Sequence, residues 1–493
     1  MGIALSKAFG DGKSESMVAG AGLGALFGGL VGADMDRRRC ELTKVAKAHN
    51  LDIVMTDITL ASGTPVQSAQ SVDAPATSLT RKPESVGMSF TIFDHGIQFV
   101  SGSATPSAEA VRAFSDVAEK YSFIATEKDA NAVQAAKDRT KKMRLLFVGH
   151  TDDTGSSETN ADLSEERARA IAKIFSQHGF DASQIFYQGA GEVFPIDDNR
   201  TDAGRARNRR VEIVDLSNDE SFAAFLATRR PNVAHYRPTT QVSGSTSIKT
   251  PTTSVGKVAN APLVKADALA KAPNVGDAAE VPPLKPTTTP TMSKSMSAAS
   301  ANSLDNLDFG GKPVNGQYKK IDIGMTARSS TFSFISTANA ADDSPVGSCA
   351  LDRPRISRSV KSLSSGQGIK TSAYLPGAAG ASWSGKANGH LVGLTGVSVL
   401  RDGGQPASRP TFYVWKNYVD GSKASAVFKT TGDVNAYQGD KALLYRVFLA
   451  EGPVRCLDMV IPNGSPNSAP SSNMVYERSG TAYQADYSPT IAR

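Results

Sequence analysis

The chain has 493 residues, too many for one hydrophobic core, so about two to four domains are expected. It is 40% apolar and 21% charged, and a formal net charge of only +6 argues against the concentrated basic stripe that nucleic acid requires, while leaving a negatively charged polymer or membrane surface compatible. The histidines (His49, His95, His150, His178, His235, His390) stand singly and the cysteines form no C-x-x-C pair, which argues against a metal site.

Residues 1–16 lack an apolar stretch and do not read as a signal peptide. Residues 17–33, MVAGAGLGALFGGLVGA, are uncharged, with Gly20, Gly24, Gly28 and Gly32 at every fourth position. On a helix this leaves a groove of bare backbone, which suits lipid or a second helix better than water. The run is at the short end for crossing a bilayer. A flexible glycine-rich linker is the alternative, against which the density of Leu, Phe and Val counts. The stretch resembles the glycine-zipper segments that precede the periplasmic domain of some outer-membrane proteins, and ADMDRRRCELTKVAKAHNLDIV is similar to the helical neck found there, its charges suggesting a solvated helix. Zipper and neck together occupy 17–57. Arg37, Arg38 and Arg39 would keep the following domains in the cytoplasm if the zipper were an uncleaved anchor, so a signal upstream of Met1 is expected. Residues 58–85, rich in Ser, Ala, Thr, Gln and Pro, read as a linker.

Residues 86–216 alternate strand and helix patterns: MSFTIFDHGIQFV, SAEAVRAFSDVAEKY, RLLFVGH, a helix from about Ala161 to Gln177 closed by Gly179, QIFYQGAG and RRVEIVDL. The expected fold is an α/β domain, a mixed sheet with helices on one side. The helix carries Leu163, Arg167, Ala170, Ile171, Ile174 and Phe175 on one stripe. An arginine there is costly to bury unless an acid meets it. Asp152, at the end of the preceding strand, is the expected partner.

FVGHTDDTGS, NADLSEERARAIAKIFSQHG and QIFYQGAGEVFPIDDNRTDAGRARNRRVEI stand in the order of the OmpA C-terminal peptidoglycan-binding domain family, which includes Pal lipoproteins and the motor protein MotB. Residues 86–216 resemble that family, except that 122–142 is longer than usual. The resemblance implies a periplasmic domain that binds diaminopimelate of the wall stem peptide, whose side chain ends in an ammonium and a carboxylate on one carbon. It assigns the ammonium to Asp152 and the carboxylate to the guanidinium fork of Arg167. Thr151 and Gly155 would offer backbone groups, and Asn208 and Arg209 lie beside the same pocket. Asn160 fits either a helix N-cap or a ligand contact. His150, without a nucleophile or acid set beside it, reads as structural rather than as a catalytic base, so neither an enzyme nor a cofactor is expected of this domain.

Residues 217–308, with no aromatic residue between Arg237 and Asp308, read as a mostly disordered Thr/Pro/Ser/Ala-rich linker that lets the next domain tumble freely. Residues 309–493 return to short β-branched and aromatic segments, an all-β domain of sandwich or small-barrel type and of no recognised family. In TFYVWKNYV the mixed aromatic face is read as core in preference to a sugar or protein site. Cys349 and Cys456 fit a disulfide in an oxidising compartment or two buried thiols; Cys40 is left over. The reading that follows is a non-catalytic Gram-negative envelope protein on the periplasmic face of the outer membrane, held there through residues 17–33 and anchored to peptidoglycan. The alternative is a subunit of an envelope-spanning secretion apparatus whose β domain docks a partner protein. An enzyme seated in the β domain has only scattered His390, Asp402 and Trp415 in its favour.

Overall fold

The computed structural model describes residues 24–59, 85–94, 98–100, 102–122, 134, 138, 140–238, 307–325, 346–369, 374–400 and 409–492. Residues 1–23, and most of 122–142 and 217–308 beyond position 238, lie outside that set, and with them Gly20 and the linker expectation from 239 onward.

The first half is built on a sheet in the order β1-β2-β5-β3-β4-β7. Its strands are β1 (Ile53–Thr59), β2 (Ser85–Phe93), β3 (Arg144–His150), β4 (Ile185–Gly189), β5 (Arg210–Leu216) and β7 (Lys361–Ser362). β3 and β4 run parallel and the other neighbours are antiparallel. Helices α1 (Gly24–Ala48), α2 (Ala108–Ser122) and α3 (Ser157–Gln177) cover one face. There Phe114, Val117, Ile171 and Phe175 pack on Leu145, Phe147, Val211 and Ile213. A short α4 (Asp202–Asn208) precedes β5.

The expectation of helices on one side only is corrected. The opposite face carries Leu146, Val148, Phe186, Val214 and Leu216, and α5 (Asp219–Thr228) lays Phe222, Phe225 and Leu226 over it. Strands such as RLLFVGH are apolar on both faces, so each face needs a cover. Ordered chain therefore runs on past 217, through α5 to Tyr236, whose hydroxyl donates to the Val193 carbonyl at 2.7 Å.

The expected solvated neck and linker at 58–85 are also corrected at their start. α1 is one helix to Ala48, and its Leu42 and Val45 enter the core. Arg38 is 5% exposed and bonds Asp215 at 2.7 Å, a carboxylate that also accepts from the Tyr121 hydroxyl. After a left-handed turn at Asn50 the chain enters β1, which pairs with β2 from Ile53↔Ile92 to Thr59↔Ser85. No helix among the described residues is long and apolar enough to cross a membrane. Cys40 is an exposed free thiol.

The last third is an antiparallel sheet in the order β16-β8-β9-β10-β11-β12-β13-β14-β15-β6. It comprises β6 (Lys312–Pro313), β8 (Tyr374–Ala387), β9 (His390–Leu400), β10 (Thr411–Trp415), β11 (Phe428–Gln438), β12 (Ala442–Leu449), β13 (Val454–Pro462), β14 (Ser472–Arg478), β15 (Thr481–Tyr487) and β16 (Thr490–Ile491). β16 follows β15 in the chain but pairs with β8, at the opposite end of the strand order. Alternate residues of these strands, among them Trp383, Phe412, Val414, Tyr445, Val447, Leu457 and Met459, share one core. The aromatic face of TFYVWKNYV divides: Phe412 and Val414 are core, while Tyr413 and Trp415 turn outward, stacked at 5.5 Å.

One segment, 346–369, belongs to both halves, and here the structure departs from a β domain moving freely from 309. Its first part is fixed to the β sheet by a Cys349–Cys456 disulfide and by Arg446, which bonds Asp352 at 2.6 Å and Asp458 at 2.6 Å. Its second part crosses α3 and forms β7 against β4, pairing Tyr187↔Lys361 and Phe186↔Ser362. Basic side chains of this strap meet an acidic stripe on α3: Arg358 meets Asp162 and Glu158, and Lys361 meets Glu165 at 2.6 Å.

The disulfide spans 107 positions of sequence, and a loop of that size is stabilised by about 4 to 5 kcal/mol through the entropy removed from the unfolded chain. Reductant should therefore lower the melting temperature of the β half on the order of 10 °C, read by calorimetry on the full chain. An unchanged melting curve would contradict this.

Candidate functional site

The site lies where β3 gives way to α3. β3 ends at His150, residues 151–156 turn the chain, and Ser156 caps α3, its hydroxyl accepting from the Thr159 amide at 3.1 Å. The helix thus begins earlier than Ala161, and Asn160 is not its cap. Asn160 is buried in the first turn, where its Nδ2 reaches back to the carbonyls of Asp152 (3.3 Å) and Thr154 (3.1 Å) and to Glu192 Oε2 (2.6 Å). Gly155 has φ +90°, a conformation that costs a side-chain-bearing residue, and a Cβ there would meet only Asn160 Oδ1, at 4.0 Å, so it is backbone conformation that asks for glycine.

Asp152 does not pair directly with Arg167. Its Oδ1 accepts from the Thr154 amide at 2.9 Å and its Oδ2 from Arg209 at 2.7 Å. Burial works against its charge, but the Arg209 guanidinium and the Thr154 amide outweigh this and hold the carboxyl below its ordinary value.

Arg167 is buried, as its place on the inner stripe of α3 requires. The acid nearest to it is Asp94, just past β2, with Oδ2 3.6 Å from Nη1, so the expected Asp152 partner is corrected to Asp94. Its Nε donates to the Ser103 carbonyl at 3.0 Å and its guanidinium lies 4.7 Å from the centre of the Phe99 ring. Neither Nη nitrogen makes a hydrogen bond among the described residues. Burial lowers its pKa, Asp94 and Asp152 raise it and Arg209 lowers it, so Arg167, Asp152 and Arg209 share one electrostatic neighbourhood.

The other expected site residues divide. Arg209 stands beside Asp152 and is partly exposed. Asn208 is fully buried and its amide is spent on the chain: Oδ1 accepts from the Ile196 (2.9 Å) and Asp197 (3.1 Å) amides, and Nδ2 donates to the Asp197 carbonyl (2.8 Å) and Asn199 Oδ1 (2.9 Å). It shapes the loop and has no donor left for a ligand. Thr151 gives its amide to the Gly191 carbonyl at 3.0 Å. His150 is buried, 3.4 Å from Glu212, and burial pushes its pKa down to about 3, which keeps the ring neutral.

Sequence reasoning missed Asp94, Glu192 and Arg353. An acid directly after the apolar run SFTIF was a signal for Asp94. Glu192 has none beyond its place after a strand. Arg353, which donates to the Asp153 carbonyl at 2.6 Å and to Glu192 at 2.6 Å, comes from 200 residues away.

At the junction of a central strand and its following helix, the buried Arg167 guanidinium thus shares one electrostatic neighbourhood with the Asp94 and Asp152 carboxylates and with Arg209. Residues 119–209 match the OmpA family, and the chain carries an OmpA-family domain there. In this region it is 46% identical over 71 residues to the outer-membrane lipoprotein YfiB of Pseudomonas aeruginosa, covering 14% of this chain and 42% of that one. It is 44% identical over 72 residues to the probable lipoprotein YiaD of Escherichia coli, covering 15% and 33%. It is 45% identical over 71 residues to the peptidoglycan-binding protein ArfA of Mycobacterium tuberculosis, covering 14% and 22%. The chain thus spans less than half the length of these curated relatives. Among solved structures, the cell wall anchor of the T6SS from Pseudomonas aeruginosa aligns at 21% identity and a TM-score of 0.24, covering 37% of this chain and 98% of that one. The OmpA-like domain of FopA1 from Francisella tularensis aligns at 20% identity and a TM-score of 0.19, covering 27% and 75%.

Two outcomes follow. Asn208→Ala removes a buried amide that satisfies four groups and should destabilise the domain by about 2 to 3 kcal/mol or more in denaturant melts. His150 should remain neutral, its ring shifts in NMR flat from pH 8 to pH 5. Its pKa is lower folded than unfolded, so the unfolded state takes up its proton first. This contribution to stability is complete above about pH 6.5 and is lost as pH falls toward about 3.

Proposed function

We propose that this protein is a non-catalytic anchor that fixes the outer membrane, or an assembly attached to it, to peptidoglycan on the periplasmic face, by binding the diaminopimelate of the stem peptide. The observation that carries the reading is the state of Arg167. It is oriented by the Ser103 carbonyl and the Phe99 ring, yet both Nη nitrogens remain uncommitted to any hydrogen bond among the described residues. A planar carboxylate would take both in a fork. The ammonium on the same ligand carbon would go to Asp152, a carboxylate with about four lone-pair sites that already accepts from the Thr154 amide and from Arg209. Arg209 belongs to the site through Asp152; Thr151, Gly155 and Asn160 shape its loop.

Three observations support the reading. The OmpA-family domain spans both residues, and a relative over this region is named for peptidoglycan binding. The disulfide suits an oxidising compartment. His150, next to the site loop, is a poor general base because it is buried with its pKa pushed down to about 3. Residues 17–33 are proposed as the membrane-associated segment.

Pull-down on purified sacculi tests this. Asp152→Ala should abolish binding with the fold retained, since a charged hydrogen bond lost to a desolvated partner costs about 1.5 to 3 kcal/mol. Arg167→Lys should fail as well, because an ammonium cannot reproduce the paired bonds. Binding by the double variant Arg167→Leu, Asp152→Asn would refute the site. Sacculi whose stem peptide carries lysine, or amidated diaminopimelate, should be held less well. Because Asp152 titrates below its ordinary value and loses charge only as pH falls through that lowered value, binding should be undiminished at pH 5.

A further inference from the structure

The loop that carries Asp152 is held from outside the OmpA-family segment. Its consecutive carbonyls at 152, 153 and 154 are gripped by two side chains: Asn160 Nδ2 takes those of Asp152 and Thr154, and Arg353 Nη2 takes that of Asp153 at 2.6 Å. The same two nitrogens meet on one buried carboxylate. Arg353 Nη2 donates to Glu192 Oε1 at 2.6 Å and Asn160 Nδ2 to Oε2 at 2.6 Å. Glu192 is 2% exposed, so its charge needs both donors. Arg353 in turn is placed by the strap. Asp352, beside it, is bound by Arg446 and Arg355, and Cys349 is tied to Cys456. On the far side the Ile356 amide donates to Ser157 Oγ at 2.6 Å, in the first turn of α3.

We infer that Arg353 is a positioning residue for the wall-peptide site: it fixes the Asp153 carbonyl and the Glu192 carboxylate, and through Asn160 sets the loop on which Asp152 meets the ligand ammonium. The inference rests on the function proposed above. It makes the β half part of the binding machinery, because the strap is welded to the β sheet and closes the site loop of the other half. Charge-assisted hydrogen bonds to backbone and carboxylate fix such a loop more firmly than packing alone.

The test uses the full chain and titrates it with the soluble tripeptide L-Ala-γ-D-Glu-diaminopimelate. Each variant is first checked for an unchanged circular-dichroism spectrum and a melting point well above the working temperature. Arg353→Ala should weaken the tripeptide about tenfold or more. Arg353→Lys, which can still donate to both oxygens, should recover most of the affinity, a rescue that a merely stabilising residue would not require. Combining Arg353→Ala with Asn160→Ala should cost less than the sum of the single losses, because both act through Glu192. Asp152→Ala serves as the control. If it abolishes binding while Arg353→Ala binds as the parent does, the positioning role is overturned and the site stands. Equal loss in Arg353→Ala and Arg353→Lys, additive with Asn160→Ala, also overturns it. Parent-like binding by Asp152→Ala removes the site, and the positioning role with it.

Discussion

Arg446 is 1% exposed, on a central strand of the β half, and a guanidinium so deeply buried must find acids or the strand cannot form. It finds Asp458 on the neighbouring β13 and Asp352 on the strap, and it also donates to the Gly347 carbonyl. Asp352 is held ionised well below the carboxylate range because Arg355 and Arg446 outweigh its burial. This ion cluster, together with the disulfide at Cys349, leaves the strap one place to lie. From there Arg353, Arg358 and Lys361 meet Glu192, Asp162 and Glu165, and β7 covers the open edge of β4. An uncovered edge strand would be a site for unwanted pairing, so the cover serves the sheet as well as the loop.

The same rule, that buried charge must be met, organises the first half. Arg38 docks the neck helix on Asp215, shared with the Tyr121 hydroxyl. Arg167 is treated differently. Asp94 neutralises it at a distance that leaves its outer nitrogens unbonded among the described residues, while Asp152 is occupied from its own side by Arg209. Two charges of opposite sign are thereby kept near one another without pairing directly, the arrangement on which the proposed binding of a zwitterionic ligand rests.

Much of this was legible in the sequence because it depends on neighbours in the chain. The apolar run of RLLFVGH, the stripe Leu163–Phe175 and the glycine at 179 fix β3 and α3 by local periodicity, and the positive φ of Gly179 fits its place just past the helix end. Arg167 stood out because it broke that stripe. Where the reading went astray, the deciding partner was remote or the composition misleading. The neck looked solvated because its charges were counted without Asp215. α5 was overlooked because its cover is needed only once both faces of the sheet are seen to be apolar. Asn160 looked like a cap because Ser, Thr and Asn crowd the helix start, and only the backbone angles select Ser156.

The sequence by itself determined β3, α3 and the place of Arg167 on its inner stripe, since these follow from spacing within a few turns of chain, and the OmpA-like order of motifs, whose resemblance supplied the roles proposed for Asp152 and Arg167. Only the tertiary structure decided which acid meets Arg167, that Asn208 is spent on the loop at 196–199, and that a strap from the last third closes the Asp152 loop. Arg353 and Asp153 are separated by 200 positions. No local pattern encodes such a pairing, because it exists only when two sheets and a disulfide bring the strap to α3.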